Sequence, residues 1–241
     1  MNKGIERIKI GIIGLGVGAG TGFITTCLAG ELAEQGNYYP AVIELGSGGL
    51  YDSLGMDKHF SGRKFFPFHR KVVQDKSIWG RSNQLNGINW LLVPTEEDLI
   101  SLDLYQKLRL VNNAQGDFIL CRLNGLLGEE LWRLLWEMDR VLVVIDPLPS
   151  KMIESYELLC ALKVSELPII YIVNKFNPGV NRKELLNYLK LKKLMFFPMI
   201  DQREIYGAEY MCKAIYDMPD AKKQLKKPVE DLIKEIFVIY Q

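Results

Sequence analysis

Residues 8–22 read IKIGIIGLGVGAGTG, and this stretch decides the fold class. It begins with Ile8 to Ile13, which is short and rich in β-branched residues, as is typical of a buried strand. Glycines follow, and then Thr21 to Gln35 has helical spacing and stops at Gly36. Glycines let backbone amides approach an anion, and a helix N-terminus adds positive potential. The stretch therefore predicts a phosphate-binding loop near the start of an α/β domain.

The rest of the chain continues this alternation of strands and helices. Further strands are expected at Ala41–Leu45, Ile88–Val93, Phe118–Leu123, Val141–Ile145, Ile169–Val173 and Leu194–Phe197. Helices are expected at Glu129–Met138, Ser150–Leu162, Lys183–Leu191, Ile205–Tyr216 and Val229–Tyr240, and another is expected to begin at Thr95, with Asp98 in its first turn. Such alternation predicts a three-layer α/β/α fold with a mostly parallel central sheet, in which ligands bind beyond the carboxyl ends of the strands. No linker divides the sequence, so we expect residues 1–241 to form one domain.

Composition narrows the class of protein further. The 241 residues are 48% apolar and carry a formal net charge of +1, so the chain as a whole does not indicate a polyanionic partner. Its four cysteines are far apart and form no CxxC pair, which is typical of buried thiols in a reducing compartment. The N-terminus does not resemble a signal peptide, and no uncharged apolar stretch is long enough to span a bilayer. We therefore expect a soluble, cytoplasmic protein.

The glycine loop alone fits two kinds of nucleotide site. The spacing that begins at Gly14 fits the GxGxxG pattern of Rossmann dinucleotide sites loosely, and Glu44 lies where such sites place the acid that binds the ribose. A P-loop instead requires a lysine followed by serine or threonine after its last glycine, and the sequence has Thr21 and Gly22 there. On the loop alone both interpretations stay open.

Four later segments carry a more specific pattern. Residues 116–125 read GDFILCRLNG, residues 138–147 read MDRVLVVIDP, residues 169–174 read IIYIVN, and residues 197–201 read FPMID. In this order they resemble segments of the ParA/MinD ATPases, P-loop proteins of the SIMIBI class with a deviant Walker A loop. The matching segments are the Walker B strand, the next strand with its proline turn, the strand that ends in the adenine-reading asparagine, and the late proline turn beside the base. The resemblance implies an ATP or ADP site in which Asn174 and Pro198 lie beside the base.

The same resemblance places the deviant P-loop on Gly16, Val17, Gly18, Ala19, Gly20, Thr21, Gly22 and Phe23. The signature lysine of the family then falls on Gly16, the P-loop lysine on Thr21 and the magnesium-binding hydroxyl on Gly22. The two aspartates after the second strand fall on Glu44 and Gly46, and the Walker B aspartate falls on Arg122. Phosphoryl transfer needs cations that neutralise the developing charge. The sequence therefore predicts a degenerate member that binds nucleotide through backbone amides, depends little on magnesium and hydrolyses little or no ATP.

Arg122 has two interpretations at this stage. Its guanidinium could bind a phosphate in place of the missing lysine and metal. Alternatively it forms an ion pair with Glu44, since both residues stand at positions of the former metal site. The two interpretations are compatible if they describe different states of the protein.

The function expected from these residues is that of a nucleotide-binding regulator or scaffold that works through a protein partner or a homodimer. Family members with altered P-loops occur in pilus-assembly systems of the TadZ/CpaE type, which makes such a role one expectation. Two alternatives stay open: a Rossmann oxidoreductase that uses Glu44, and an interaction scaffold without nucleotide.

Two other segments suggest partners, although neither interpretation is preferred. Residues 58–76 interleave basic and aromatic side chains, a pattern found at nucleic-acid interfaces, but a solvated surface segment is preferred. His59 and His69 lie there without acidic or cysteine companions at ligand spacing, so no metal site is expected. The C-terminal helix has one apolar face that could bind a membrane, but we prefer a helix docked on the core of the domain.

Overall fold

The computed structural model describes residues 7–95, 100–191 and 193–238. Its strands are β1 (Ile8–Leu15), β2 (Pro40–Glu44), β3 (Gln84–Leu85), β4 (Ile88–Leu91), β5 (Phe118–Arg122), β6 (Arg140–Ile145), β7 (Ile169–Phe176) and β8 (Met195–Pro198). They form one sheet in the order β3-β4-β2-β5-β1-β6-β7-β8. All neighbours are parallel except β3 and β4. The sheet confirms the expected fold class.

Helices cover both faces of the sheet. They are α1 (Thr21–Glu34), α2 (Leu50–Ser53), α3 (Met56–His59), α4 (Phe68–Val73), α5 (Leu104–Asn113), α6 (Gly128–Trp136), α7 (Pro149–Glu154), α8 (Tyr156–Val164), α9 (Arg182–Leu189), α10 (Gln202–Tyr210) and α11 (Pro219–Val238). One core joins the sheet to α1 and α11, and a second core joins the opposite face to the helices from α4 to α9. Strands β2, β4 and β6 are buried along their whole length, because helices cover them on both sides.

The C-terminal helix is docked on the domain. Leu225, Val229, Leu232 and Ile236 of α11 are fully buried in the core that it shares with α1 and the sheet. The preferred interpretation, a helix docked on the core, therefore agrees with the structure, and membrane attachment stays an untested prediction. Tyr240 lies outside the described residues. No helix in the described ranges is long and apolar enough to cross a membrane.

Several boundaries differ from the sequence-based expectations. The helix expected to begin at Thr95 falls largely on residues outside the described ranges, and α5 begins after Asp103. The Asp103 side chain accepts from the amide of Gln106, and the Gln106 side chain accepts from the amide of Asp103. Asp98 lies outside the described residues. The helix expected at 150–162 is divided into α7 and α8 at Ser155, and the one expected to reach Tyr216 ends at Tyr210, because Cys212 soon takes a positive φ of 54°.

Residues 46–86, which have little periodicity, contain short helices and an edge hairpin. The hairpin turn between β3 and β4 is Asn86-Gly87, with φ values of 52° and 76°. Positive φ at both central residues is what a two-residue hairpin turn requires, and an Asn-Gly pair is its strongest sequence signal. This signal was present in the sequence, and sequence reasoning missed it.

Candidate functional site

The glycine loop lies between the end of β1 and the start of α1, at the carboxyl edge of the sheet. Gly16, Gly18 and Gly20 have φ values of 87°, 82° and 96°, whereas Val17 and Ala19 are not among the residues with positive φ. Alternation of this kind curls the backbone so that successive amides converge on one point, as in known anion-binding loops. A Cβ on Gly20 would lie 2.2 Å from Nδ2 of Asn174, so the loop also needs glycine for space.

The amides of this loop have no protein acceptor. Within the described residues, no hydrogen bond is donated by a backbone amide from Val17 to Phe23; the first amide of this region to donate is that of Ile24, which bonds the carbonyl of Gly20. The first turn of a helix leaves its amides unpaired in the same way, and the helix dipole makes that end favourable for a negative charge. The loop and the start of α1 therefore form a cradle of donors suited to phosphate.

The side chains of Asn174 and Lys175 bond the backbone carbonyls of the glycine loop. Nδ2 of Asn174 donates to the carbonyl of Ala19 at 3.0 Å, and Nζ of Lys175 donates to the carbonyl of Gly18 at 2.7 Å. Nζ of Lys175 also pairs with Oδ2 of Asp146 at 2.6 Å. Asp146 ends up beside Lys175 because it directly follows β6, the neighbour of β7. Sequence reasoning missed the contacts of Lys175 and Asp146 with the loop, although Asp146 directly follows a buried strand and Lys175 lies near the end of β7, where such residues could have been found.

On the opposite flank, Glu44 and Arg122 face each other as register partners at the ends of β2 and β5. Nη1 of Arg122 lies 2.5 Å from Oε1 of Glu44, and the side chains are 11% and 0% exposed. The same Nη1 donates to the carbonyls of Ser47 and Gly48 at 3.0 and 3.1 Å. The structure therefore shows the ion pair between Arg122 and Glu44 that one of the two interpretations expected. The pair also holds the loop that follows β2.

The Glu44 carboxylate is fully committed to the protein. Its Oε1 accepts from the amide of Leu50 and its Oε2 from the amide of Val93, both at 3.0 Å. Burial raises the pKa of the Glu44 carboxyl above its ordinary value, and these amides and Arg122 lower it part of the way back. The Glu44 side chain is 0% exposed, so a ribose cannot reach either oxygen in this arrangement.

His69 lies behind this pair. Its Nε2 donates to the backbone carbonyl of Glu44 at 2.7 Å, and its Nδ1 is buried without a hydrogen-bond partner among the described residues. Burial lowers the pKa of His69 to about 4, although the bond to Glu44 opposes the shift. The ring is therefore neutral at pH 7. The parts of the chain that the structure describes contain no group of three acidic, histidine or cysteine side chains that could hold a metal ion.

The resemblance assigns a magnesium site to the region of Arg122, Gly22 and Gly46. Arg122 brings a positive charge to it, with Nε 3.5 Å from Oγ1 of Thr21, and Gly22 offers no hydroxyl. A Cβ on Gly46 would lie 1.9 Å from the carbonyl oxygen of Asn124, so the backbone leaves no space for an aspartate there. Divalent metals bind oxygen ligands, and the side chains of Arg122, Gly22 and Gly46 supply none.

Asn174, Pro198 and Phe23 take different positions around the loop. Asn174 is 3% exposed and lies behind the loop rather than in an open base pocket. Pro198 ends β8 opposite Phe176, and Phe23 of α1 is partly buried against the first core. Beside Lys175 and Asp146 a cavity of about 740 Å³ opens between α7 and α9, with Met199 on its rim.

The basic segment 58–76 is folded rather than extended. It comprises the end of α3, a loop and α4. Arg63 lies over the ring of Phe60 and donates to the carbonyl of Gln84, and His69 is buried. Several of its basic groups thus have partners within the protein, and a nucleic-acid role stays a prediction.

Comparison with known proteins gives similarity in structure but not in sequence. No protein-family model matches the chain, and none of the curated proteins is significantly similar to it. A Borrelia burgdorferi B31 protein assigned to plasmid partition, solved with AMPPNP, has a TM-score of 0.73 at 18% identity, over 98% of this chain and 100% of that one. MinD of Pyrococcus horikoshii OT3 with Mg-ADP has a TM-score of 0.73 at 16% identity, covering 96% and 98%. A ParA family ATPase of Chlorobium tepidum TLS has a TM-score of 0.69 at 14% identity, covering 94% and 97%.

The chain therefore has the fold of the ParA/MinD ATPases, over nearly its whole described length. The strand order agrees with this and disagrees with the Rossmann alternative. In a Rossmann sheet the first two strands are neighbours, whereas here β5 lies between β1 and β2. Together with the committed carboxylate of Glu44, this makes the dinucleotide interpretation wrong.

Proposed function

We propose that the chain binds an adenine nucleotide, ATP or ADP, on residues 16–23 and acts as a regulator or scaffold with little or no ATP hydrolysis. The observation that carries this proposal is the row of unpaired amides from Val17 to Phe23, set by alternating φ at the N-terminus of α1. Phosphate is the ligand class that such a cradle recognises. The nucleotides present in the structures of MinD and of the plasmid partition protein support the adenine assignment.

The weak role of magnesium and the low turnover follow from the flank that holds Arg122. A guanidinium stands where metal-binding P-loop proteins need a carboxylate, and it already pairs with Glu44. Phosphoryl transfer in this fold depends on a metal and a lysine that neutralise the phosphates. The protein would hold the nucleotide by its backbone and respond to it rather than consume it.

A binding panel tests the proposal. Calorimetry with ATP, ADP, GTP and NAD, each with and without magnesium, should give binding of ATP or ADP that changes little with the metal. Binding of NAD alone would contradict the proposal. If none of the four binds, the alternative of an interaction scaffold without nucleotide takes its place.

A matched pair of glycines assigns binding to the loop. Gly18 and Gly36 both have positive φ, 82° and 70°, and a Cβ on either meets nothing within 4 Å. Each change to alanine should therefore cost a similar ~1 kcal/mol of stability through backbone strain. Gly18→Ala should also weaken ATP or ADP binding by roughly five- to 150-fold, since one misaligned amide contact is worth ~1–3 kcal/mol. Equal affinities of the two variants would remove the loop from the site.

We also propose that the carboxyl edge of the sheet meets a protein partner or a second copy of the chain. Large apolar side chains are exposed there, namely Val17 in the loop, Leu148 before α7, Ile153 near the end of α7, and Met199 after β8. Apolar patches of this kind are typical of interaction surfaces, and their place around the loop would couple association to the nucleotide. Sedimentation velocity with and without ATP tests this proposal.

A further inference from the structure

Asn174 and Lys175 contact the glycine loop through its carbonyl oxygens. Nδ2 of Asn174 bonds the carbonyl of Ala19, and Nζ of Lys175 bonds the carbonyl of Gly18. Asn174 is 3% exposed, and its Oδ1 is buried without a partner among the described residues. An asparagine in this position cannot offer its amide edge to a base without leaving the loop.

The bonds to these two carbonyls fix the direction of two amides. All peptide bonds of the described residues are trans, so the N–H of a peptide points away from its carbonyl. The carbonyl of Gly18 shares a peptide with the amide of Ala19, and the carbonyl of Ala19 shares one with the amide of Gly20. Holding both carbonyls from behind therefore turns the amides of Ala19 and Gly20 to the open side of the loop.

Lys175 is itself held in a costly conformation. It has a φ of 55°, in the left-handed region that residues other than glycine seldom adopt, and this costs of the order of 1 kcal/mol or more. Its Nζ is fixed by Asp146, which is 4% exposed and whose Oδ1 accepts from the amide of Leu148. Strained and doubly supported side chains of this kind are concentrated at functional sites.

We propose that Asn174 and Lys175, supported by Asp146, are positioning residues of the phosphate site. They orient the amides of Ala19 and Gly20 toward the anion, and their bonds to the carbonyls polarise those peptides and strengthen the two N–H donors. Through them the loop keeps a phosphate-binding shape although Thr21 stands where a P-loop has its lysine. The proposal rests on the proposed function and names how its phosphate subsite is held.

The first test uses the free protein and needs no ligand. In NMR spectra of ¹⁵N-labelled protein, Lys175→Met should change the amide ¹⁵N chemical shift of Ala19, and Asn174→Leu should change that of Gly20. In each variant the peptide that contains this amide loses the hydrogen bond to its carbonyl. Lys175→Arg keeps a hydrogen-bond donor and should leave the chemical shift of the Ala19 amide near its wild-type value. If neither variant shifts its expected amide signal more than distant amide signals, Asn174 and Lys175 do not bond the loop carbonyls in solution.

The second test measures ADP and inorganic pyrophosphate binding by calorimetry. Lys175→Met and Asn174→Leu should each weaken both ligands by about tenfold, the value of one charge-assisted or well-aligned hydrogen bond. Lys175→Arg should stay within about threefold of the wild type. Lys163→Met is the matched control, since Nζ of Lys163 also donates to a backbone carbonyl, that of Leu189, away from the loop.

The outcomes separate the two proposals. If the wild type binds and Lys175→Met binds equally well, the positioning role is wrong and the proposed function stands. If Asn174→Leu weakens ADP but not pyrophosphate, Asn174 reads the base and the positioning role is again wrong. If the wild type binds neither ligand, the proposed function fails. Asn174 and Lys175 then have no positioning role in binding, even if NMR shows that they bond the loop carbonyls.

Discussion

Arg122 and Lys175 each belong to a strand that ends beside the glycine loop, and each pairs with a carboxylate at the end of the neighbouring strand. Their surroundings differ. The side chains of Arg122 and Glu44 are 11% and 0% exposed, whereas those of Lys175 and Asp146 are 41% and 6% exposed. The other bonds of the Arg122 Nη1 go to the carbonyls of Ser47 and Gly48, and its Nε lies only 3.5 Å from Oγ1 of Thr21. The second bond of Lys175 goes to a carbonyl of the loop backbone.

This difference separates stability from binding. A buried pair costs much when one partner is removed, because the other charge is left without compensation. A pair with one half-exposed member is screened by solvent and contributes little to stability. We therefore expect the Arg122–Glu44 pair (the Arg122 flank) to support the fold, and the Lys175–Asp146 pair (the Lys175 flank) to adjust the conformation of the glycine loop.

The largest effect is expected from breaking the Arg122 flank. Arg122→Ala should lower the free energy of unfolding by about 3–5 kcal/mol, because it leaves Glu44 as a buried charge without its cation. Glu44→Gln in the same chain should recover much of that loss, since a neutral amide needs no counter-ion. Denaturant unfolding of both single variants and the double variant gives the coupling energy.

Lys175→Met is the control for the Arg122→Ala prediction. Lys175→Met should lower the free energy of unfolding by less than about 1 kcal/mol, because its head group reaches solvent. Additive effects of Arg122→Ala and Glu44→Gln would contradict the pairing, since contacting groups are non-additive. A loss for Lys175→Met as large as that for Arg122→Ala would remove the distinction between the two flanks.

A smaller effect, which depends on pH, is expected from His69 on the same flank. The folded protein keeps this ring neutral with a pKa of about 4, whereas an unfolded histidine takes up a proton below about 6.5. Between these values the unfolded state binds more protons, so stability should fall as the pH drops from about 6.5 to about 4. The full loss is roughly 3 kcal/mol if the ring stays buried.

His69→Gln keeps a donor for the carbonyl of Glu44 and should flatten this part of the stability curve. Glu44 has a raised pKa and works in the opposite direction, so the difference between wild type and variant isolates His69. His59→Gln is the control, since that ring is exposed and bonds the carbonyl of Cys212. Parallel pH curves for wild type and His69→Gln would show that the ring is not buried in solution.

The sequence predicted the parts of this site that depend on local pattern. The glycine loop and the strands beside it follow from residues whose spacing and order can be counted, whereas the facing positions of Glu44 and Arg122 were implied by the resemblance to the ParA/MinD ATPases. The alternation of apolar strands and helices also predicted the layered fold, because burial on both faces leaves a clear composition.

The parts that it did not predict depend on contacts across the sheet. Asn174 was expected beside a base, but its amide turns to the carbonyl of Ala19, 155 positions away in the chain. The role of Lys175 required knowing that β7 lies on the same side of the loop as Asp146. The short helices between 46 and 86 had no periodicity to detect, since each is only four to six residues long.

The smallest effect is expected from restoring the loop residues alone. Thr21→Lys with Gly22→Thr should leave ATP hydrolysis at background, because the missing groups lie on the Arg122 flank. The new lysine would enter a buried position next to a second cation, since Oγ1 of Thr21 is 3.5 Å from Nε of Arg122. Like charges in such a position repel and are costly to bury.

Adding Arg122→Asp should still not produce turnover, because the second carboxylate would have to replace Gly46. A Cβ at Gly46 lies 1.9 Å from the carbonyl oxygen of Asn124, so the ends of β2 and β5 would have to separate. Phosphate release from ATP, measured against a blank without protein, checks both variants. Turnover above the blank that disappears when Gly18→Ala is added would mean that the loop alone limits hydrolysis. In that case Arg122 and Gly46 would not limit hydrolysis.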